Sequence, residues 1–330
     1  MASFGIIADI GGTNARFALV DHNHVISQII KLPVQDFENF EDAVAEYIRQ
    51  INIKEKPKHL LIDVAGPVTG DYFKFTNSHW EFSITDVKAK MGFDYFKVVN
   101  DFAAIGLSLP HLTAADFISI NNKPAKKLGP KIAIGPGTGL GVVFSVPHHD
   151  EWILVPSEAG HVTMAAENEI ESDVLAYLRQ KYESYNGHVS AERVISGHGL
   201  ENIYDALWHL SIDDSSHEFK PLRAPEIAQK ALDGEDALCT QAVLQLCAFL
   251  GATAGSLSLA LMAYGGVYIA GGIVPQIMPL FEQSDFIKRF ESKGRHSHVN
   301  KDVPIYLITH PYPAFPGLAA TIADELNKEI

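Results

Sequence analysis

The sequence predicts an α/β protein of two related lobes, each built on a mixed sheet, and three observations carry that prediction. Apolar runs of strand length open the chain as a hairpin and then alternate with segments of helical period. A strand, a glycine-rich turn and a second strand occur twice, near residues 9 and 137, a duplication on the scale of a domain. The 330 residues, 47% of them hydrophobic, suffice for cores in about two domains of roughly 100–200 residues each.

Residues 6–9 and 16–20 are short apolar runs flanking Gly11-Gly12-Thr13-Asn14, which reads as strand, tight turn, strand. Residues 25–32 continue the strand series. Apolar side chains at Phe37, Phe40, Val44, Tyr47, Ile48 and Ile51 have the spacing of an amphipathic helix over 37–51. Residues 60–64 and 98–99 then read as buried strands, the second running into Asn100-Asp101 and a short helix over 102–109. The second part begins near His111. There 131–134 leads into the glycine-rich stretch 135–141 and a further strand at 142–144. Helical patterns follow at 167–181, 199–210, 225–232 and 237–263, with strands at 267–270 and 305–309 and a closing helix at 317–328. The segment 211–223 is polar and reads as an exposed loop.

The balance of 26 Lys+Arg against 40 Asp+Glu, a formal charge of −14, excludes a large nucleic-acid footprint, which needs clustered cations to displace counterions. Charged residues at 20% and aromatics at 10% exclude a disordered chain. The two cysteines, Cys239 and Cys247, stand about 12 Å apart along a helix, too far to bridge, and a reducing, cytoplasmic setting is expected. The first residues lack a basic region and Asp9 interrupts their apolar run, unlike a signal peptide. Residues 237–281 contain no Asp, Glu, Lys or Arg. Half of 244–263 is nonetheless Gly, Ala, Ser or Thr and basic flanks are missing, so a buried helix of a soluble protein is expected rather than a membrane span.

The glycine turns are the first candidates for chemistry. Glycine at 11 and 12 lets the backbone approach an anion closely, although Gly-Gly also suits a plain hairpin. The alternating glycines of 135–141 exceed what a turn needs, so two such turns suggest a nucleotide cleft. Asp9 lies just before the first turn. A carboxylate beside phosphate is tolerable when Mg²⁺ lies between them, and a turn cap is its simpler role. Asn100-Asp101 ends an apolar strand, where open sheets bind ligands; Asp101 suits a proton acceptor, and the pair also suits a helix cap. Ser157-Glu158-Ala159-Gly160-His161 and Ser190-Ala191-Glu192-Arg193 supply carboxylates and a histidine of the kind that sugar hydroxyls require. No P-loop, dinucleotide fingerprint, zinc-protease helix or nucleophile elbow occurs. The pairs His148-His149 and His296/His298 lack a completing ligand and read as surface loops, and Trp80, Trp152 and Trp208 as packing.

Taken together, Asp9-Ile-Gly-Gly-Thr-Asn-Ala-Arg16, Asn100-Asp101-Phe102, Gly137-Thr-Gly-Leu-Gly141, Glu158-Ala-Gly-His161, Ser190-Ala-Glu192-Arg-Val-Ile-Ser-Gly197 and Gly265-Gly-Val-Tyr-Ile-Ala-Gly-Gly-Ile-Val-Pro275 resemble bacterial ATP-dependent glucokinases, in matching order from residue 5 to the final helix. The resemblance implies an actin-like (ribonuclease H-like) fold, with a small domain of 1–110 plus 311–330 and a large domain of 111–310. It implies transfer of the ATP γ-phosphoryl group to the 6-hydroxyl of glucose, with Mg²⁺ as cofactor and usually a homodimer. By position, it makes Asp101 the catalytic base and Asn100, Asp101, Glu158, His161 and Glu192 the sugar-binding set. Ala8, Asp9, Ile10, Gly11, Gly12 and Thr13 become the first phosphate loop, with Asp9 holding Mg²⁺ through water. Gly137 and Thr138 become the second loop, and Gly271 and Gly272 the adenosine site. Ala159 stands where the family often has glycine, which bears on fine sugar preference. The cysteine-rich zinc motif of the broader repressor and kinase family is absent, which points to the zinc-free branch.

Overall fold

The computed structural model describes residues 4–75, 77–211 and 219–328. Residues 212–218 of the expected polar loop lie outside the described residues. The chain divides into two compact units, Met1–Asp116 with Thr309–Ile330, and Phe117–Ile308.

In the first unit the strands are β1 (Phe4–Ile10), β2 (Asn14–Asp21), β3 (Ile26–Pro33), β4 (His59–Val64) and, further on, Tyr95–Asn100. Helix α1 (Phe40–Ile51) lies between β3 and β4. It starts three residues later than its apolar spacing alone suggests. Asn39 and Asp42 close a capping box there, and 34–36 is spent on a separate 3₁₀ turn. A short ribbon of β5 (Tyr72–Lys74) and β6 (Glu81–Ser83), then α2 (Ile84–Met91), lead into β7, the strand Tyr95–Asn100, and α3 (Asp101–Ser108). The sheet order is β3-β2-β1-β4-β7; β1 is antiparallel to β2 and parallel to β4, and β4 is parallel to β7.

Alternation along β1 and β4 sends side chains into two separate cores. Ile6, Ala8, Leu60 and Ile62 pack with Phe40, Tyr47 and Trp80, whereas Ile7 and Leu61 pack with Phe315, Leu318 and Ile322 of the closing helix Phe315–Asn327. Trp80 is a core residue, its indole N–H donating to the Phe37 carbonyl at 3.1 Å. The register places Asp9 beside both Arg16 and Asp63, and Val64 beside Asn100. Three parallel strands therefore end level, with their polar residues at the carboxyl edge where α/β sheets bind ligands.

The second unit holds a six-stranded sheet. Its strands are β8 (Phe117–Ser119), β9 (Lys131–Pro136), β10 (Leu140–His148), β11 (Glu151–Ser157), β12 (Gly266–Ile269) and β13 (Ile305–Ile308), in the order β11-β10-β9-β12-β13-β8. Its main helices are α4 (Glu169–Lys181), α5 (Gly197–Ser211), α6 (Ala224–Asp233) and α7 (Ala237–Leu261). Helix α7 is long and apolar enough to cross a membrane by composition, yet 72% of its apolar window is buried inside the protein. Gly251 and Gly255 on α7 admit the backbone of the helix Phe286–Glu291. A Cβ at either position would stand 2.3 Å from the Phe286 or Phe290 carbonyl oxygen. Cys239 and Cys247 are both buried on α7 as free thiols.

One ionic cluster is set into this helical layer. Glu171 of α4 is fully buried and takes two bonds from the Arg289 guanidinium, at 2.6 and 2.9 Å, with Gln245 of α7 at 2.9 Å and the Glu167 N–H at 2.7 Å. Arg289 also meets Glu167 at 3.1 Å. Every lone pair of the carboxylate has a donor, which is the condition under which a buried ion is tolerated.

Candidate functional site

Three carboxylates occupy the carboxyl edge of the first sheet. Asp9 ends an apolar strand and accepts from Arg16 at 3.1 Å. Burial raises its pKa, with the Arg16 charge and hydrogen bond acting in opposition. Asp63 is 1% exposed, is hydrogen-bonded to Asp9, and leaves its Oδ2 without a partner. Burial first, then the charges of Asp9 and Asp101, push its carboxyl well above the usual aspartate range. Asp63 is an edge carboxylate that sequence reasoning did not single out, because only the parallel register of β1 and β4 brings it to Asp9.

A substitution tests that assignment. The folded chain holds the Asp63 proton more tightly than the unfolded chain, so this contribution to stability is fully present below the ordinary aspartate range. It is lost as pH rises through the raised value. Asp63→Asn keeps a donor toward Asp9 and removes the titration. At pH 8 the variant is expected to be more stable by about 1–3 kcal/mol, the cost of an imperfectly satisfied buried polar group. The two melting curves should converge as pH is lowered toward about 4; a gap that stays constant with pH rejects the assignment.

Asp101 stands at the first turn of α3, and Asn100 organises it. The Asn100 Oδ1 accepts from the N–H groups of Phe102 and Ala103 at 3.0 and 3.2 Å, capping the helix. Its Nδ2 donates to Asp101 Oδ1 at 2.8 Å and to the Gly66 carbonyl at 3.1 Å. Asn100 is thus the helix cap that the sequence offered, and it also holds Asp101. Phe102 N–H also donates to Asp101 Oδ1 at 2.8 Å, so Oδ2 is the oxygen left to take a proton. Burial raises the Asp101 pKa, the Phe102 backbone bond opposes it, and the Asp9 charge adds to the rise.

The first glycine turn is closed by Gly11 N–H on the Asn14 carbonyl at 3.0 Å, and Thr13 is exposed. Gly12 lies against Asn77, whose carbonyl oxygen would be 2.7 Å from an added Cβ, so this position has room only for glycine.

In the second unit, Glu158 and His161 flank a 3₁₀ turn, 3.7 Å apart and largely exposed. Met164 N–H to the Val189 carbonyl and Ala191 N–H to the Val162 carbonyl, both 2.9 Å, tie this turn to the one that carries Glu192. The three polar side chains are thereby grouped on adjoining turns. Residues 137–139 form the hairpin turn between β9 and β10. Gly271, with φ +83°, lies on it; a Cβ there would be 2.5 Å from the Pro136 carbonyl oxygen. Gly272 is exposed and precedes a four-residue helix. The structure therefore brings Gly271 to the second glycine turn.

The glucokinase family model matches residues 6–325. A glucokinase of Chromobacterium violaceum is 41% identical over 321 residues, covering 97% of this chain and 90% of that one. The chain belongs to the glucokinase family. A bifunctional protein glk of Burkholderia orbicola is 42% identical over 98% of this chain, which spans 49% of that longer protein. The crystal structure of a glucokinase from an Antarctic psychrotroph superposes with a TM-score of 0.87 at 33% identity, covering 98% of this chain and 99% of that one. The expected fold, two α/β lobes of the actin-like sugar-kinase type, is the observed one.

From the sequence, Mg²⁺ is expected at Asp9. Among the described residues no three His, Cys, Asp or Glu side chains form a metal cage. Asp9 offers one carboxylate at the edge of the first glycine turn. That donor set fits Mg²⁺ held through water and phosphate oxygens, the ion's usual mode, rather than by a protein cage. The paired histidines His148-His149 and His296/His298 make ring contacts with one another and belong to no such group. The Ala159 methyl packs against the hydrophobic core of the second unit. Gly160 has no such latitude, since a Cβ there would stand 2.1 Å from the Leu140 carbonyl oxygen.

Proposed function

We propose that this chain transfers the γ-phosphoryl group of ATP to the 6-hydroxyl of glucose, giving glucose 6-phosphate and ADP, with Asp101 as the base. The observation that carries the reading is the setting of Asp101. One oxygen is held by Asn100 and Phe102, the other is left to accept a proton, and burial makes that proton welcome. As the sugar oxygen bonds to phosphorus, its proton passes to Asp101 Oδ2, and the bond from phosphorus to the bridging oxygen breaks with its electron pair leaving on ADP. Phosphoryl transfer asks mostly for positioning and charge neutralisation, so a late proton acceptor is sufficient.

Glu158, His161 and Glu192 complete the proposed sugar set with Asn100 and Asp101. Asn100 is committed four times within the protein, so its part is to orient Asp101, and a hydroxyl reaches it only by displacing one of those bonds. Ala8, Asp9, Ile10, Gly11, Gly12 and Thr13, with Gly137 and Thr138, are the proposed phosphate-binding backbone, and Gly271 and Gly272 the adenosine end. Mg²⁺ at Asp9 would neutralise the phosphate charge during transfer. The same reading includes a homodimer in the cytoplasm, which sedimentation of the purified chain checks for its stoichiometry.

The test is ADP release by the purified chain with Mg-ATP and a panel of glucose, mannose, fructose and N-acetylglucosamine. Glucose is expected to drive release at least tenfold above the others. Release with mannose or N-acetylglucosamine alone reassigns the sugar, and no sugar-dependent release rejects the enzyme reading.

A further inference from the structure

The second glycine turn does not stand alone. Leu140 N–H, the first donor after the turn, gives its hydrogen to Glu192 Oε2 at 2.9 Å, and Gly197 N–H bonds the Gly137 carbonyl at 2.8 Å. Gly139 lies directly under the carboxylate: a Cβ there would be 2.6 Å from Glu192 Oε2. The segment bearing Glu192 thus grips the turn at both ends, across 52 residues of sequence.

The backbone around Glu192 is itself fixed. Ser196 Oγ donates to the Glu192 carbonyl at 2.8 Å, and Asn202 Nδ2 donates to the Arg193 carbonyl at 2.9 Å. The Arg193 guanidinium sits 4.0 Å from the centroid of the Tyr182 ring. The Glu192 carboxylate commits Oε2 to the turn, which leaves Oε1 as the oxygen a hydroxyl would meet.

We infer that Glu192 is a positioning residue for the nucleotide-phosphate turn, so that a sugar hydroxyl on its carboxylate and a phosphate on Gly137-Thr138 strengthen each other's binding. The inference rests on the reading under "Proposed function" and adds to it a link between the two substrates. A hydroxyl that donates to the carboxylate removes its rotamer freedom. The charge-assisted bond to Leu140 N–H is then held in place, and the turn no longer has to be ordered by the nucleotide. Such coupling is reciprocal: the factor by which glucose tightens the nucleotide equals the factor by which the nucleotide tightens glucose.

Calorimetric titration of the full chain with the magnesium complex of AMPPNP, with and without saturating glucose, reads the factor directly. Saturation keeps any loss of sugar affinity out of the result. Glucose is expected to tighten AMPPNP about 5- to 150-fold in the parent chain, the usual range for coupled sites. Two variants remove the tie differently. Gly139→Ala pushes the carboxylate off the turn, and Glu192→Gln replaces the charged acceptor with a neutral one. Both are expected to bring the factor within about twofold of unity, a change that general loosening of the turn, which weakens AMPPNP equally with and without sugar, does not produce. Full coupling in a folded Glu192→Gln, whatever the fate of Gly139→Ala, overturns the inference. So does a parent chain that binds both ligands without coupling. A parent chain that binds neither ligand instead removes the functional reading itself.

Discussion

Replacing Asp101 with alanine is expected to lower kcat by about 10²–10⁴-fold, the usual contribution of a positioned general base, with glucose affinity staying within about tenfold. The asymmetry follows from the local structure. Asp101 is one of several groups in the proposed sugar set, but it is the proposed base, its Oδ1 held by Asn100 and the Phe102 N–H so that Oδ2 is left for the proposed proton transfer. Asp101→Asn should behave alike, because an amide keeps the shape and accepts no proton. The acid side of the pH profile of kcat/KM supplies a second check. Burial and the nearby Asp9 charge raise the Asp101 pKa, so activity should fall on acidification at a pH above the ordinary aspartate range, about 3.9. Steady-state kinetics over pH with isothermal glucose titration measure both. A variant that turns over at the parent rate removes Asp101 as the base.

The largest effect on stability is expected from Arg289→Met. Glu171 is fully buried and owes two of its bonds to that guanidinium. Removing the cation strands a carboxylate in the helical layer, which costs about 3–5 kcal/mol. At about 2 °C per kcal/mol for a chain of this size, melting should fall by about 6–10 °C. Replacing Glu171 by methionine as well should recover most of the loss, since two packed apolar groups replace the pair without stranding a charge. Burial on its own raises the Glu171 pKa, but the Arg289 hydrogen bond leads a set of interactions that hold it below the ordinary value. In the parent chain this stabilisation is present above the ordinary glutamate range and lost as pH falls through the depressed value. The single variant has no such loss to suffer, so the gap between the two proteins should narrow in acid. A gap that widens contradicts the account.

Much of this fold is legible in the sequence because its longer elements carry a full period. β1 and β2 carry continuous apolar runs of strand length, and α1 carries helical spacing over enough residues to be read directly. The ribbon of β5 and β6 is three residues per strand, and the helices between 273 and 301 are four to six residues long with Pro275 and Pro279 among them. Segments so short hold less than two periods, so tertiary packing decides them. The site divides the same way. Asp9, Asn100, Glu158 and Glu192 announce themselves as polar residues beside glycine turns or at strand ends. Asp63 looks like one charge inside an apolar strand, and only the register pairs it with Asp9. The bond from Leu140 to Glu192 joins segments that no local pattern relates.

The first unit is assembled from both ends of the chain, and this has a consequence for its birth on the ribosome. Ile7, Ala18, Val20 and Leu61 on one face of its sheet are covered by Phe315, Leu318 and Ile322. Until those last residues emerge, the nascent sheet carries a bare apolar face, and the unit synthesised first cannot be the unit finished first. Phe117–Ile308 has its full set of strands and helices earlier. Translation of the 192 intervening residues at about 5–20 residues per second leaves that face uncovered for roughly 10–40 seconds, an interval in which a chaperone has something to hold.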